Sequence, residues 1–157
     1  MYKFSAPMPY TIENIDKLLD INNQVEKSRI NSLYFSLPSN IEFFSGFEQY
    51  RNCIFNKGWD YWKNLMSYSL EKNVDFIYLL NNPSRIRYEE DDFNLQLEKL
   101  DKLLNELRKL GINKLRIAEH KLMSYIEQKY SDFVIYASTS FEFKSLAEYQ
   151  NFMFMHS

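Results

Sequence analysis

Apolar positions along the chain switch repeatedly between a strand-like and a helix-like period, and each switch marks an element. Lys3–Ala6 reads as a short first strand, stopped by Pro7 and Pro9. Thr11 is placed to cap a helix running to about Lys27, with Ile12, Ile15, Leu18, Leu19 and Val25 as its stripe. Leu33–Leu37 is a second strand, ended by Pro38. Ser45 and Glu48 fit a capping box for a short helix carrying Phe47, Tyr50 and Ile54. Trp59–Asn73 predicts another helix, with Tyr61, Trp62, Leu65, Met66 and Leu70 as its apolar contacts. Val74–Leu80 is a nearly unbroken apolar run, as in parallel strands buried on both faces.

After the break at Asn81-Asn82-Pro83-Ser84, the clearest helix spans about Asp92–Leu110. Phe93, Leu97, Leu100, Leu104 and Leu107 recur there at spacings of three and four. Gly111 is placed to close that helix, with Ile112 packing back on its last turn. Lys114–Ala118 then reads as a fourth strand, Lys121–Tyr130 as a helix and Phe133–Ala137 as a fifth strand. Thr139 and Glu142 form a second capping box, for a helix through Leu146, Tyr149 and Phe152. The expected fold is therefore α/β, with repeated βα units and parallel strands. Two closures fit: a partial TIM-type barrel of about five units, or an open, doubly wound sheet. A full barrel takes eight units and about 250 residues.

Composition narrows the class. The 157 residues fit a single domain, and 45% hydrophobic with 25% charged is ordinary for a globular protein. Aromatics reach 17%, which calls for a large aromatic core or an exposed adhesive face. The formal charge of −2 offers no global field for nucleic acid, so a nucleic-acid partner is not expected. With 3 glycines, a Gly-rich phosphate loop is nearly excluded. The single cysteine, Cys53, allows no internal disulfide and fits a reducing compartment. No secretory leader and no run of about 20 apolar residues is read, so a cytoplasmic location is expected.

Three segments carry a resemblance. They are Asp75–Asn82 (DFIYLLNN), Leu107–Ala118 (LRKLGINKLRIA) and Leu122–Ser140 (LMSYIEQKYSDFVIYASTS). In layout and in these phrases the chain resembles the amino-terminal part of the U32 collagenase-like peptidase family, over about Lys3–Phe152. The resemblance implies a TIM-like barrel, in a family that includes hydrolases and RNA- or cofactor-modifying hydroxylation enzymes. That family's iron–sulfur cysteines lie in a later region. Here the units stop after the fifth and Cys53 is the only cysteine, so no cofactor is expected.

In βα proteins the working surface is the carboxyl end of the strands. That rule selects Met8; Ser36, Ser39 and Asn40; Asn81, Asn82 and Arg85; Glu119 and His120; and Ser138, Thr139 and Ser140. Glu119-His120 is the candidate catalytic pair, because a carboxylate can orient an imidazole and raise its pKa. Exposed residues at a helix start explain the same pair without chemistry. Asn81, Asn82, Arg85, Ser138, Thr139 and Ser140 are candidate substrate contacts, although turn formation and capping account for Asn81-Asn82 and Ser138–Ser140 as well. Cys53 reads as a buried inert thiol. Cys53, His120 and His156 are too few for a zinc site, and Glu89-Glu90-Asp91-Asp92 lacks the pattern of a calcium loop. Those acids suit a helix amino end.

The expectation for function is a truncated U32-like barrel protein, not catalytically complete alone. It would act as a homo-oligomer or with a partner protein, joined through the apolar Phe152-Met153-Phe154-Met155 segment. The alternatives are a small-molecule or peptide-binding module, or a U32-like enzyme.

Overall fold

A computed structural model describes residues 2–36, 59–80, 90–138, 145–147 and 149–150. The elements alternate: β1 (Tyr2–Pro7), α1 (Ile12–Gln24), β2 (Ser28–Phe35), α2 (Trp59–Glu71), β3 (Asp75–Leu80), α3 (Glu90–Lys109), β4 (Lys114–Ile117), α4 (His120–Lys129) and β5 (Val134–Ala137). The strands form one sheet in the order β1-β2-β3-β4-β5, and every neighbouring pair is parallel. The fold is therefore α/β with repeated βα units, as expected. The order never reverses, which removes the doubly wound alternative, because that arrangement requires a switch point where the order turns back. The sheet is singly wound. Right-handed crossovers that always step the same way place each helix on one face.

Burial follows from that rule. Leu33 and Phe35 of β2, Phe76, Tyr78 and Leu80 of β3, and Leu115 and Ile117 of β4 point alternately to one side and are all buried. They share a single core with Ile15 of α1, Trp62, Leu65 and Met66 of α2, Leu100, Leu104 and Leu107 of α3, and Leu122 and Ile126 of α4. Part of the aromatic excess lies in this layer. Phe35 packs edge-to-face on Phe76 and Tyr78, with centroids 5.3 and 5.1 Å away. Another part stands outside, since Tyr2 and Phe4 on β1 are 72% and 53% exposed.

The helix ends use local chemistry. The Thr11 hydroxyl accepts from the Asn14 N–H at 3.2 Å, capping α1 as predicted. α3 ends at Gly111, whose φ of 77° suits glycine, with Gly111 N–H donating to Arg108 C=O and Ile112 N–H to Leu107 C=O. This is a Schellman turn, and buried Ile112 completes it as its sequence position suggests. α2 stops at Glu71, two residues before the predicted Asn73. Asn73 instead takes the left-handed position, at φ 58°, of a second Schellman turn, with Val74 N–H donating to Ser69 C=O and Asn73 N–H to Leu70 C=O. Asn fills that position because its short polar side chain tolerates positive φ.

The largest boundary difference lies between α1 and β2. The helix ends at Gln24 rather than Lys27, and β2 begins at Ser28 rather than Leu33. The Asn22 side chain bonds both the C=O and the N–H of Ile30, at 2.9 and 2.7 Å, and so draws the chain back into the sheet. The early strand residues Ser28–Ile30 pair with Tyr2–Phe4, and a bulge follows at Asn31. Their polarity hides the strand from a hydrophobic pattern. The predicted helix over residues 45–54, with Cys53, lies outside the described residues. So does the capping box of Thr139 and Glu142, although residues 146–147 and 149–150 are helical.

α3 and α4 are joined by one carboxylate. Asp101 accepts hydrogen bonds from the hydroxyls of Tyr125 (2.8 Å) and Tyr130 (2.7 Å) and from the Lys129 ammonium. Burial works to raise the pKa of Asp101, but these three donors outweigh it and hold it below the usual carboxylate range. Next to it, Arg108 grips Asp132 through two nitrogens and lies 5.3 Å from the centre of the Tyr130 ring. A carboxyl group whose folded pKa is depressed stabilises the fold above its unfolded pKa of about 3.9, and that stabilisation is lost as pH falls through the folded value. Asp101→Asn is therefore expected to lower unfolding stability at pH 7 by about 1–2 kcal/mol. Urea titrations of both proteins across pH should show the gap closing below about pH 4. A gap independent of pH would contradict this account of Asp101.

Candidate functional site

The parallel register puts every strand's carboxyl end at the same edge of the sheet. The ladder runs one residue past the strands there: Met8 N–H donates to Tyr34 C=O (3.0 Å), Ala118 N–H to Leu80 C=O (3.2 Å) and Ser138 N–H to Ile117 C=O (2.7 Å). Met8, Ser36, Glu119, His120 and Ser138 are thereby gathered at one end. Met8 and Ser138 are buried, Ser36 and Glu119 are half-buried, and His120 is exposed. Ser39, Asn40, Asn81, Asn82, Arg85, Thr139 and Ser140 lie outside the described residues, as does Phe152–Met155.

Glu119 has a defined task. It is the N-cap of α4, which begins one residue earlier than predicted, at His120. Its two carboxylate oxygens accept from Lys121 N–H at 2.9 Å and Leu122 N–H at 2.6 Å. Two amides that the first turn of the helix leaves without partners thus take this side chain as their acceptor. The geometry gives Glu119 a capping role, with both oxygens already bonded to backbone.

The face of the sheet away from the helices carries a pattern that strand reading alone passes over. Every charged side chain in the five strands falls on it: Lys3, Arg29, Asp75, Lys114 and Arg116. The Ser5–Ser32 hydroxyl contact at 2.7 Å and the Lys114–Asp75 ion pair fix the orientation of this face. Arg116 sits in register between Leu79 of β3 and Tyr136 of β5. It is half-buried, and among the described residues its guanidinium has no carboxylate partner. The signal for it is present in the sequence. Lys114-Leu-Arg-Ile117 alternates charged and apolar residues, whereas a parallel strand covered on both faces is normally apolar throughout.

Among the described residues no group of three or more His, Cys, Asp or Glu is placed to hold a metal ion. No described helix is long and apolar enough to cross a membrane. The architecture and this end-of-sheet site define a singly wound parallel βα protein. No family model, curated protein or solved structure matches the chain.

The capping role of Glu119 is open to a direct check. Glu119→Ala is expected to cost about 1 kcal/mol, and Glu119→Ser to recover most of it, because a hydroxyl can accept from the same amides. Thermal unfolding of the three proteins measures this. Equal destabilisation by Ala and Ser would overturn the assignment.

Proposed function

We propose that this chain is a ligand-binding βα protein, related in layout to the U32 collagenase-like peptidases, that holds an anionic group of a small molecule or peptide near the carboxyl end of its sheet. The observation that carries this reading is Arg116. A half-buried guanidinium with no acidic neighbour among the described residues offers its donors to a carboxylate or a phosphate, which it can bind through two parallel bonds. Tyr136 beside it is 40% exposed, and Leu79 beneath it is buried, so one cross-strand row presents an aromatic ring, a cation and an apolar floor. Such a mixture of apolar surface and a few polar groups is what ligand sites present.

Binding is favoured over catalysis because the one carboxylate described at this edge, Glu119, is engaged in capping α4. Arginine stays protonated at neutral pH and so orients charge without moving protons. Titration with succinate, citrate and an acidic tetrapeptide, followed by amide chemical shifts, tests the reading. Shifts centred on Leu79, Arg116 and Tyr136 are expected. Arg116→Gln should weaken binding by about tenfold or more, and Arg116→Lys should recover part of it. Shifts that are absent, or unchanged in Arg116→Gln, would remove the proposal.

A second reading, association with another chain, draws support from the sheet's outer strands. β1 and β5 each have one neighbour among the described residues, and Tyr2, Phe4, Val134 and Tyr136 stand exposed on them. Exposed strand edges with apolar side chains are templates for pairing. Sedimentation velocity over a hundredfold concentration range is expected to show a larger species that Val134→Lys removes. A monomer at every concentration would count against it.

A further inference from the structure

The opposite, amino end of the sheet carries two cations that neither the fold nor the proposed ligand site uses. Lys3 of β1 and Arg29 of β2 are direct partners in the parallel register, so two like charges stand side by side on the face turned away from the described helices. Like charges at directly opposed strand positions are destabilising. Both side chains are exposed, and neither has a carboxylate partner among the described residues. β3 starts late, at Asp75 opposite Ser32, and leaves a notch beside the first residues of β2. The notch is a cleft of ≈ 430 Å³ lined by Lys3, Arg29, Asn31, Asn73 and Asp75, with Leu70 and Val74 as apolar wall.

The chemistry of the lining is selective. Its ammonium, guanidinium and two side-chain amides supply donors. Its single carboxylate, Asp75, is engaged by Lys114 and does not neutralise the pair. The Schellman turn at the end of α2 holds Asn73 at the rim. We infer that this cleft is an oxyanion site that takes the phosphate group of a small phosphomonoester, with Lys3 and Arg29 sharing the dianion's charge. A phosphate dianion converts the like-charge pair from a destabilising contact into a bidentate clamp. The cleft falls within the size range of small-molecule sites and is far larger than a bare oxyanion needs, which is why the phosphate is assigned to a larger molecule.

Thermal unfolding in phosphate against chloride of equal ionic strength tests the site, because a ligand bound only by the folded chain raises the midpoint. Inorganic phosphate and a hexose phosphate are the two probes. Both should raise the midpoint of the parent protein, the hexose phosphate at lower concentration; equal potency would assign the site to free phosphate. Lys3→Gln and Arg29→Gln should each weaken the effect by about tenfold or more. The control Lys102→Gln, an exposed charge on α3, should leave it unchanged. Without phosphate, Lys3→Gln should be at least as stable as the parent, since the like-charge contact is relieved. The inference is overturned if phosphate acts no better than chloride. It is equally overturned if the rise survives both substitutions, or if Lys102→Gln reduces it as much as they do.

Discussion

The architecture depends on one constraint: strands added in chain order, each parallel to the last, must send each connecting helix over the same face. The main core is then the layer between sheet and helices, centred on β3, where Phe76, Tyr78 and Leu80 are each 2% exposed or less, while Ile77 and Leu79 on the other face of β3 are buried too. β3 is the central strand, with two strands on each side of it in the sheet. The helices carry ordinary amphipathic stripes and contribute Ile15, Met66, Leu104 and Ile126, all fully buried. Because one face is committed to this layer, the charged residues of the strands have only the other face to occupy. The separation of apolar from charged strand positions therefore belongs to the fold, and the candidate binding chemistry inherits it.

Polar contacts at the helix side work as fasteners between neighbouring units. The Tyr68 hydroxyl reaches from α2 to Asp16 on α1 at 2.6 Å, and the Tyr61 hydroxyl donates to the Tyr10 carbonyl. Asp101 does the same between α3 and α4, with Arg108 and Asp132 securing the entry to β5. The tyrosine bonds lie at partly buried positions, where they contribute more than an exposed ion pair such as Arg108–Asp132. Tyrosine suits the task, since its ring packs in the apolar layer while its hydroxyl reaches a polar partner. Part of the high tyrosine content is explained by this double duty.

The strand–helix alternation was legible in the sequence because period and punctuation agree. Gly111 with Ile112 and Thr11 before Ile12 are local signals with local causes, and both act as their positions suggest. The start of β2 was not legible. Ser28–Asn31 is polar, and its place in the sheet comes from pairing with β1 and from the Asn22 side chain, both long-range. The site was legible only in location. The carboxyl-end rule found Glu119 but could not show that its oxygens are taken by the α4 amides. It also passed over Arg116, whose half-buried setting, with no acidic neighbour among the described residues, depends on what stands beside it in β3 and β5.

The unreversed strand order also sets how the molecule comes apart. Each strand's sheet contacts are with the units before and after it in the chain, as in a solenoid rather than an interlocked globule. Opening can then begin at β1 or β5 and travel inward one unit at a time, leaving the remaining strands paired. The free energy needed to expose a backbone amide should climb from the outer strands to β3. Such a gradient gives the protein soft flanks around a hard centre, so a change at an outer strand is felt locally before it is felt by the whole.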